Sequence, residues 1–395
     1  MVVRQEKVIS IVAPDLQTKM LEFKLKMSAL NSGYSSLKEW NPGLAPTWGS
    51  FPQAAFDVAE VYRGDAQSFA YSHHHAIGKL KNQYVASWSA SQRHEDVPGQ
   101  QVHYALSSDG KRWSKERVLV ATDPASGIVR NNAGVCADAG KLYDFVGVAG
   151  GAQRSADPSL TSFLPDYARL DVYSTEDGNR WTECQGIAEN VYLFEGPRRL
   201  RNGGHLCGGN AFIGVQHPLA LLWKPGQDLA SPPQVVRIPR PDERIRPIQG
   251  TWYQTEDGRI WMFFRDVGFS TRLALSWSDD GGHTWSGLAL SDMPNTMSRA
   301  SAGRLNDGRF YIIGNNYDRM LDRSHLQIAL SPDGYTFDRM YTLIEGKTHR
   351  RVEGIHKEDG WHYPYSLVDG DKLFVIFSVN KEDIRCGVVD ARTLT

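Results

Sequence analysis

The sequence predicts an all-β protein, a β-propeller made of four-stranded antiparallel blades. Short apolar runs such as "KLYDFVGV" and "KLFVIFSV" are bounded by Gly, Asp and Asn, which is typical of short antiparallel strands. Long helical periodicity is scarce over the 395 residues. Two strand–turn motifs also recur in alternation, and radial repetition of one such unit is characteristic of a propeller.

The first motif is a turn in which Ser or Thr precedes an Asp, a Gly and then a Trp or Phe. The Ser and Asp side chains can hydrogen-bond the turn backbone, the Gly can adopt a positive φ, and the aromatic ring can pack under the turn. This chemistry indicates a structural connection between two strands. The four copies are SSDGKRWS at 107–114, STEDGNRWT at 174–182, SDDGGHTWS at 278–286 and SPDGYTF at 331–337.

The second motif is a short strand, a turn centred on Gly, Asp or Asn, and an aromatic-rich strand. Such a pair is the inner hairpin expected of a four-stranded blade. The six copies are HHHAIGKLKNQYVASWS, RNNAGVCADAGKLYDFVG, EGPRRLRNGGHLCGGN, RPIQGTWYQTEDGRIWMFF, SRASAGRLNDGRFYIIGN and YPYSLVDGDKLFVIFSVN.

The spacing of these hairpins favours seven blades. Equivalent positions fall at 75, 131, 197, 248, 299 and 364, which are 51 to 66 residues apart. The interval from 364 round to 75 is 106 residues, about two steps, so a seventh blade fits there. Six blades with an N-terminal arm is the alternative. Residues 1–395 are predicted to form one domain, in which residues 1–65 help to close the ring.

The bulk properties restrict the class of partner. A formal net charge of −1 gives no electrostatic reason to expect nucleic acid or an anionic membrane. No apolar run reaches the roughly 18 residues of a membrane helix, and the N-terminus lacks a signal-peptide core. The four cysteines are scattered without a CxxC pair. We expect a cytoplasmic protein, or a secreted one whose leader was removed, that is a monomer or small homo-oligomer.

Polar residues at the starts of the inner strands are expected to face the central channel. Several are arginines and only one is a carboxylate, which predicts an anionic ligand, most simply a carboxylate. The alternative for any single arginine is an ion pair with an acidic loop. The predicted set is His73, His74, His75, Arg130, Asn131, Asn132, Glu195, Arg198, Arg246, Gln249, Ser298, Arg299, Tyr363 and Tyr365.

The triple histidine raises a choice between metal binding and proton transfer. On a regular strand His73 and His75 share one face and His74 points to the other. Three contiguous histidines are a weak metal motif, and the second His/Cys group is His205, Cys207 and His217. The ordinary pKa of histidine suits proton transfer near neutral pH, so we expect His74, His75 or His94 to act in catalysis. No cofactor is predicted, although a structural metal ion is compatible with the sequence.

The first motif resembles the Asp-boxes, or BNR repeats, of sialidase-like β-propellers. SDDGGHTW at 278–285 fits the full pattern S-x-D-x-G-x-T-W. In that family the boxes lie at the blade periphery, so the resemblance implies a structural role.

A narrower resemblance covers about thirty residues. "SHH", followed about twenty residues later by "HEDVPGQ" and then by an Asp-box, resembles the propeller polysaccharide lyases, namely the seven-bladed ulvan lyases and rhamnose–glucuronate lyases. The resemblance implies a catalytic pair formed by His94 with His74 or His73, together with a Tyr and an Arg from later blades. The candidates are Arg130 and Arg154 as carboxylate binders and Tyr143, Tyr363 and Tyr365 as acids.

These observations predict a carbohydrate-active enzyme, a lyase that cleaves a 4-linked uronic acid in an acidic oligosaccharide or polysaccharide. A rhamnose–glucuronate linkage is the first choice. The runner-up is a sialidase-like exo-hydrolase that uses Tyr363 or Tyr365 with Glu353 or Glu195, although an early F-R-I-P motif is absent. A non-catalytic sugar-binding propeller is the third possibility. A different polar set in each blade favours one asymmetric site over a repeated lectin site.

Overall fold

The computed structural model describes residues 51–150, 165–213 and 217–395. Within these residues, 25 antiparallel strands form six sheets. The innermost strands contact one another from blade to blade, and the last blade contacts the first, so the sheets close into a ring. The predicted all-β propeller with four-stranded blades is confirmed.

The strands follow the chain blade by blade. Blade 1 contains β2 (Tyr71–Leu80), β3 (Gln83–Ser91), β4 (Gln101–Ser107) and β5 (Arg117–Val120). Blade 2 contains β6 (Val129–Asp138), β7 (Lys141–Gly150), β8 (Tyr167–Thr175) and β9 (Thr182–Glu189). Blade 3 contains β10 (Val191–Leu193), β11 (Arg198–Arg199), β12 (His205–Ala211), β13 (Pro218–Trp223) and β14 (Gln234–Arg237).

Blade 4 contains β15 (Pro247–Gln254), β16 (Ile260–Asp266), β17 (Arg272–Ser278) and β18 (Ala289–Pro294). Blade 5 contains β19 (Ser301–Arg304), β20 (Phe310–Gly314), β21 (His325–Ser331) and β22 (Arg339–Glu345). Blade 6 contains β23 (Trp361–Asp369), β24 (Lys372–Val379), β25 (Asp383–Asp390) and β1 (Asp57–Tyr62). Two short 3₁₀ helices span Pro124–Ser126 and Ala391–Thr393.

The described residues form six blades. The prediction of seven blades, which the spacing favoured, is wrong, and the six-bladed alternative is confirmed. The N-terminal strand β1 pairs antiparallel with β25 and is the outer strand of blade 6, so both ends of the described chain share one sheet. The long interval between hairpins therefore contains one blade boundary, not two. Residues 1–50 lengthen that interval but lie outside the described residues, and the prediction of a single domain over 1–395 stays a prediction.

The Asp-boxes connect the third and fourth strands of blades 1, 2, 4 and 5, at the periphery. In the box of blade 4, Asp280 accepts hydrogen bonds from the Thr284 backbone N–H at 2.9 Å and from the Ser278 hydroxyl at 2.8 Å. Gly282 adopts a φ of 97°, and Trp285 packs into the core between blades 3 and 4. The motif therefore acts as a turn that seals the outer edge of a blade.

Four inner strands carry the same β-bulge, in which two residues oppose one on the neighbouring strand. The bulges lie between His73 and Ala76, Asn132 and Val135, Ile248 and Thr251, and His362 and Tyr365. Positive φ angles occur within them at His74 (46°), Gln249 (61°), Tyr363 (51°) and Gly134 (108°). Such angles are uncommon for residues other than glycine, and bulges redirect side chains, so these strands aim selected residues toward the axis.

Among the residues that the structure describes, none forms a helix with the length and apolar character that crossing a membrane requires.

We predict that Asp280→Ala lowers the free energy of unfolding by about 1–3 kcal/mol, because the turn N–H and hydroxyl donors lose their acceptor. Asp279→Ala is the matched control. Asp279 only pairs with Arg259 at the surface, at 2.6 Å, and its removal should cost about 0–1 kcal/mol. Urea unfolding of both variants measures the difference, and equal losses would contradict the structural role of the box.

Candidate active site

A cavity of about 320 Å³ opens at the end of the propeller where the inner strands begin and the second strands end. Its volume is at the small end of the range for ligand-binding cavities, about 300–1,000 Å³. Five of the six blades, and the segment that precedes β23, contribute to it. The lining residues are His74, Glu95, Asp96, Tyr192, Phe194, Asn210, Phe212, Ile248, Gln249, Arg265, Arg323, His356, Glu358, Tyr363 and Lys381.

Tyr363 is the centre of the positive side of this cavity. Its hydroxyl accepts a hydrogen bond from Arg265 Nη1, which also donates to Gln249 Oε1 at 3.3 Å. Tyr363 and Gln249 both occupy bulge positions with positive φ, so the inner strands of blades 6 and 4 present them to the same guanidinium. Arg265 forms no ion pair with a carboxylate of the described chain, and its Nε is buried without a partner.

Three cations surround the Tyr363 ring. Arg323, Arg265 and Lys381 lie 5.2, 5.6 and 5.8 Å from its centroid. Burial alone would raise the pKa of Tyr363, but the positive charges of the two arginines and the lysine outweigh it, and the pKa lies below the ordinary value for tyrosine. The Tyr363 hydroxyl therefore loses its proton more readily than that of an ordinary tyrosine.

The negative side of the cavity is built around Glu95. This carboxylate accepts hydrogen bonds from Lys381 Nζ at 2.6 Å and from the Tyr71 hydroxyl at 3.0 Å, and it lies 3.3 Å from His74 Nε2. Although burial raises the pKa of Glu95, the Lys381 and His74 partners hold it well below its usual range. Glu95 is thus a fixed negative charge that orients the His74 ring, whose Nδ1 is buried without a partner.

Asp96 differs from its neighbour. Burial and the adjacent Glu95 charge raise the pKa of Asp96, because no cation holds its carboxyl directly. Asn131 donates to it at 3.0 Å, and the Asp96 backbone is fixed by Gln100 at 2.9 Å with a φ of 52°. Of these two adjacent carboxyl groups in the cavity, Glu95 therefore stays ionised and Asp96 binds a proton more readily.

Arg323 is held in place more firmly than Arg265. Its side chain is buried, and Nη1 donates to His362 Nδ1 at 2.6 Å and lies 2.5 Å from Glu358 Oε2. Because Nδ1 accepts this bond, the His362 ring is neutral, with Nε2 donating to the Glu358 carbonyl at 2.9 Å. Burial first, and then the Arg323 charge, lower the pKa of His362 well below the usual range.

An apolar wall faces these charges. Tyr192 and Phe212 stack with ring centroids 4.6 Å apart and an interplanar angle of 16°, and Phe194 packs 5.0 Å from Tyr192. Phe194 also lies 5.9 Å from the His74 ring. Aromatic rings of this kind are suited to the apolar face of a small ring-shaped ligand.

Side chains outside the cavity lining form hydrogen bonds across the propeller axis. The Tyr365 hydroxyl of blade 6 donates to the Val135 carbonyl of blade 2 at 3.0 Å and accepts from the Gly196 N–H of blade 3 at 3.3 Å. Arg198 of blade 3 donates to the Ala302 carbonyl of blade 5 at 2.8 Å and to a carbonyl of blade 4. These bonds tie blade 6 to blades 2 and 3, and blade 3 to blades 4 and 5.

The structure places three residues of the sequence-predicted set in the cavity lining: His74, Gln249 and Tyr363. His73 and His75 are fully buried beside them, and their rings bond to Ser378 Oγ at 2.7 Å and to the Tyr363 carbonyl at 2.5 Å. The bulge explains the division, because it turns His74 toward the cavity and leaves both neighbours inside the blade.

The other predicted residues lie outside the lining. Tyr365 and Arg198 bond to backbone groups of other blades, and Arg299 packs over the Tyr365 ring at 5.4 Å. Arg246 is exposed at the surface. Arg154 lies outside the residues that the structure describes.

Three further candidates, Arg130, Asn131 and His94, also lie outside the cavity lining. Arg130 donates to the Thr122 hydroxyl at 2.9 Å, and Asn131 supports Asp96. His94 Nδ1 accepts a hydrogen bond from the Ile355 N–H at 3.0 Å, so this histidine joins the loop after β3 to the segment that precedes β23.

Sequence reasoning missed most of the charges that line the cavity: Glu95, Asp96, Arg265, Arg323, Glu358 and Lys381. All except Arg265 and Glu358 lie in loops between the second and third strands of a blade, and Arg265 is near the end of a second strand. The signal was present, because a propeller brings the ends of the second strands to the same mouth as the starts of the first.

One group of described residues has metal-ligand spacing: His73, His74 and Glu95, whose ligand atoms lie within 4.8 Å of one another. A cation there would lie beside the Lys381 ammonium, which already holds Glu95. At the second site considered, His205 lies 3.6 Å from Asp138 and Cys207 is fully buried with a raised thiol pKa. Neither arrangement favours a metal ion, and the absence of a metal stays a prediction.

We predict that the free energy of unfolding falls as the pH drops from about 6.5 to about 5. Burial, together with neighbouring cations, lowers the pKa of His73, His75 and His362 well below the usual range. The unfolded chain therefore binds protons that the folded chain does not, and this stability is present above the unfolded pKa and lost below it.

Chemical denaturation at several pH values measures this slope. His349→Asn is the control for replacing a histidine as such, because that side chain is 85% exposed. Burial also raises the pKa of Asp144 to about 8, and this carboxyl contributes to the slope with the opposite sign. NMR titration of the histidines in the folded chain therefore decides the protonation state, and protonation of the three imidazoles between pH 6.5 and 5 would contradict the prediction.

Comparisons with known proteins agree with this architecture. One solved structure that resembles it is a sialidase, with a TM-score of 0.60 and 17% identity. The match covers 86% of this chain and 33% of the sialidase chain. A second is a protein of unknown function from Dyadobacter fermentans, with a TM-score of 0.63 and 15% identity. This match covers 86% of this chain and 98% of the other chain. The intramolecular trans-sialidase from Ruminococcus gnavus, bound to oseltamivir carboxylate, has a TM-score of 0.64 and 12% identity. That match covers 85% of this chain and 98% of the trans-sialidase chain.

At these identities the likeness concerns the fold, and the chain spans only a third of the length of the sialidase. No curated protein sequence matches the chain. Residues 82–376, well over half of the sequence, match the model of the BNR repeat-like domain. Together with the six blades and the four Asp-boxes, this match shows that the chain belongs to the BNR repeat-like domain family.

Proposed function

We propose that this propeller is a lyase that cleaves a 4-linked uronic acid in an acidic oligosaccharide or polysaccharide by β-elimination. The observation that carries the proposal is Arg265, a cation that lies in the cavity without a carboxylate partner in the described chain and donates to the Tyr363 hydroxyl. A free guanidinium beside an acidic phenol supplies the two groups that elimination needs, a carboxylate clamp and a base.

The clamp acts on the uronate carboxylate. The C5–H of the uronic acid is a poor acid until the charge of the neighbouring carboxylate is neutralised. A guanidinium can neutralise that charge with two parallel hydrogen bonds. Arg265 has the necessary donors, and the Gln249 amide beside it can bond the same group. Arg323 adds positive potential, although its own hydrogen bonds to His362 and Glu358 hold it in place.

Proton transfer then runs between two residues of the cavity. The Tyr363 phenolate takes the C5 proton, the released electron pair forms the C4=C5 double bond, and the C4–O bond breaks. His74 donates a proton to the leaving oxygen from Nδ1, which has no partner of its own, while Glu95 stabilises the ring from the other nitrogen. Each transfer is expected to contribute about 10²–10⁴-fold in rate.

The size of the cavity favours an exo-acting enzyme, since about 320 Å³ accommodates a chain end better than a continuous polymer. The aromatic wall of Tyr192, Phe194 and Phe212 can contact the apolar face of the sugar on the other side of the bond. A rhamnose–glucuronate linkage is the substrate that we propose first. The reaction as written requires no organic cofactor.

A sialidase-like exo-hydrolase is the second candidate, and Asp96 favours it. Because the pKa of Asp96 is raised, its carboxyl can protonate a glycosidic oxygen, with Tyr363 as the nucleophile and Arg265 on a sugar carboxylate. Two solved structures that resemble this propeller are named as a sialidase and a trans-sialidase.

The products distinguish these reactions. The protein is incubated with uronate-bearing oligosaccharides and, separately, with sialosides, and both far-UV absorbance and released reducing sugar are followed. Absorbance from a new C4=C5 double bond supports the lyase. Reducing sugar released without that absorbance overturns the lyase in favour of the hydrolase, and sugar binding with neither signal overturns both.

We predict that Tyr363→Phe lowers kcat by about 10²–10⁴-fold, because the variant keeps the ring and loses the proton acceptor. Tyr365→Phe is the matched control. It loses the hydroxyl that bridges blades 2 and 3, so it should lower the melting temperature and leave kcat within about tenfold. Steady-state kinetics and thermal melts of both variants make the comparison, and equal losses of kcat would contradict the role of Tyr363.

The pH profile provides an independent test. If the Tyr363 phenolate is the base, kcat/KM rises with pH through a pKa below the ordinary tyrosine value, and Tyr363→Phe abolishes that limb. If Asp96 is the acid of a hydrolase, activity instead falls as the pH rises through its raised pKa. An activity that is highest in acid and insensitive to Tyr363→Phe would contradict the lyase.

A further inference from the structure

Asp96 is a carboxyl of the cavity that the proposed elimination does not use. Its side chain is part of the lining, and its Oδ1 accepts a hydrogen bond from Asn131 Nδ2 at 3.0 Å. The other oxygen, Oδ2, has no hydrogen-bond partner within the part of the chain that the structure describes, and protein atoms do not enclose it. One oxygen of Asp96 is therefore available to a ligand in the cavity.

Asp96 is held firmly in this position. Asn131 Oδ1 accepts hydrogen bonds from Ser89 Oγ at 3.2 Å and from the Gln100 amide. Gln100 Oε1 in turn accepts the Asp96 backbone N–H at 2.9 Å, so one network holds both the side chain and the backbone of Asp96. Its φ of 52° is one that Asp adopts more readily than most residues. A carboxyl fixed in this way can select among ligands, because it does not move to suit them.

The adjacent Glu95 cannot serve the same purpose. Its Oε2 accepts a hydrogen bond from Lys381 Nζ at 2.6 Å, and its Oε1 accepts one from the Tyr71 hydroxyl at 3.0 Å and lies 3.3 Å from His74 Nε2. Both oxygens of Glu95 are thus used within the protein. Asp96 also binds a proton more readily than Glu95, and a carboxyl that exchanges its proton can either donate to a hydroxyl or accept from one.

Asp96 lies on the side of the cavity toward which the leaving sugar extends. Arg265, the clamp for the uronate carboxylate, belongs to blade 4, whereas His74 and Asp96 belong to blade 1, and these blades face each other in a ring of six. His74 protonates the leaving oxygen in the proposed reaction, so the sugar bonded to that oxygen lies beyond His74. The aromatic wall is there as well, because Phe194 lies 5.9 Å from the His74 ring.

We propose that Asp96 is a specificity-determining residue that binds a hydroxyl group of the sugar released by the elimination. The inference rests on the proposed lyase activity and adds recognition of the leaving sugar to it. Ligand cavities combine apolar walls with a few fixed polar groups that set the orientation of the ligand. Here the aromatic wall contacts the apolar face of the leaving sugar, and Asp96 fixes one of its hydroxyls.

Two substrates with the same methyl glucuronoside and different leaving groups test this role. The C4 oxygen carries rhamnose in the first and a phenyl group, which has no hydroxyl, in the second. Asp96→Gly removes the carboxyl at a φ that glycine adopts freely. It should lower kcat/KM for the disaccharide about tenfold more than for the phenyl ether, because only the disaccharide loses a hydrogen bond. Chromatography of the unsaturated product measures both rates.

Two further variants complete the comparison. Asp96→Asn keeps a hydrogen-bonding group and should retain most of the activity on the disaccharide. Gln92→Ala changes an exposed side chain of the same loop and should match the wild-type chain on both substrates. Equal losses on the two substrates in Asp96→Gly overturn the proposal, because Asp96 then acts on the bond that breaks. An Asp96→Gly variant with no loss on either substrate overturns it too.

Binding separates a failure of this inference from a failure of the proposed lyase. If the wild-type chain forms no double bond from either substrate, the lyase is overturned, and calorimetry with the rhamnose disaccharide tests Asp96 by itself. Binding that is about tenfold weaker in Asp96→Gly than in the wild type supports its role. Equal binding, or no binding to either protein, overturns it. Asp96→Ala replaces Asp96→Gly if thermal melts show that the glycine variant does not fold.

Discussion

The repeated bulge on the inner strands is the constraint on which the cavity depends. A regular strand would alternate its side chains between the two faces of a blade, and none would point along the axis toward the mouth. By opposing two residues to one, the bulges turn His74, Gln249 and Tyr363 out of the blades, and the positive φ at each position is the conformational cost. The ring of blades over-determines these conformations, so the strained residues remain in place.

Electrostatics then assigns different roles to chemically similar groups. Tyr363 and Tyr365 are two positions apart on β23, yet the first lies among three cations and the second is tied to backbone groups across the axis. Glu95 and Asp96 are adjacent, yet only Glu95 is held by Lys381. Burial raises all four pKa values, and the placement of cations decides which of them fall below the ordinary value.

Much of the fold could be predicted from the sequence because its determinants are local. Alternation, turn residues and the four Asp-boxes identified the strands and their connections, and the structure retains each of them. The blade number failed because spacing cannot show that β1 pairs with β25, a contact between the two ends of the described chain. For the site, the sequence predicted a cationic, histidine-containing funnel but located only part of its lining.

By itself, the sequence determined which segments form strands, which turns seal the blades and that imidazole, guanidinium and phenol groups stand at the inner strands. Only the tertiary structure decided that His74, and not His73 or His75, faces the cavity, because a one-residue bulge reverses the parity of a strand. It also brought Arg265 and Arg323 to Tyr363 from separate blades. These side chains lie close together because the ring of blades closes, and no local sequence pattern encodes that closure.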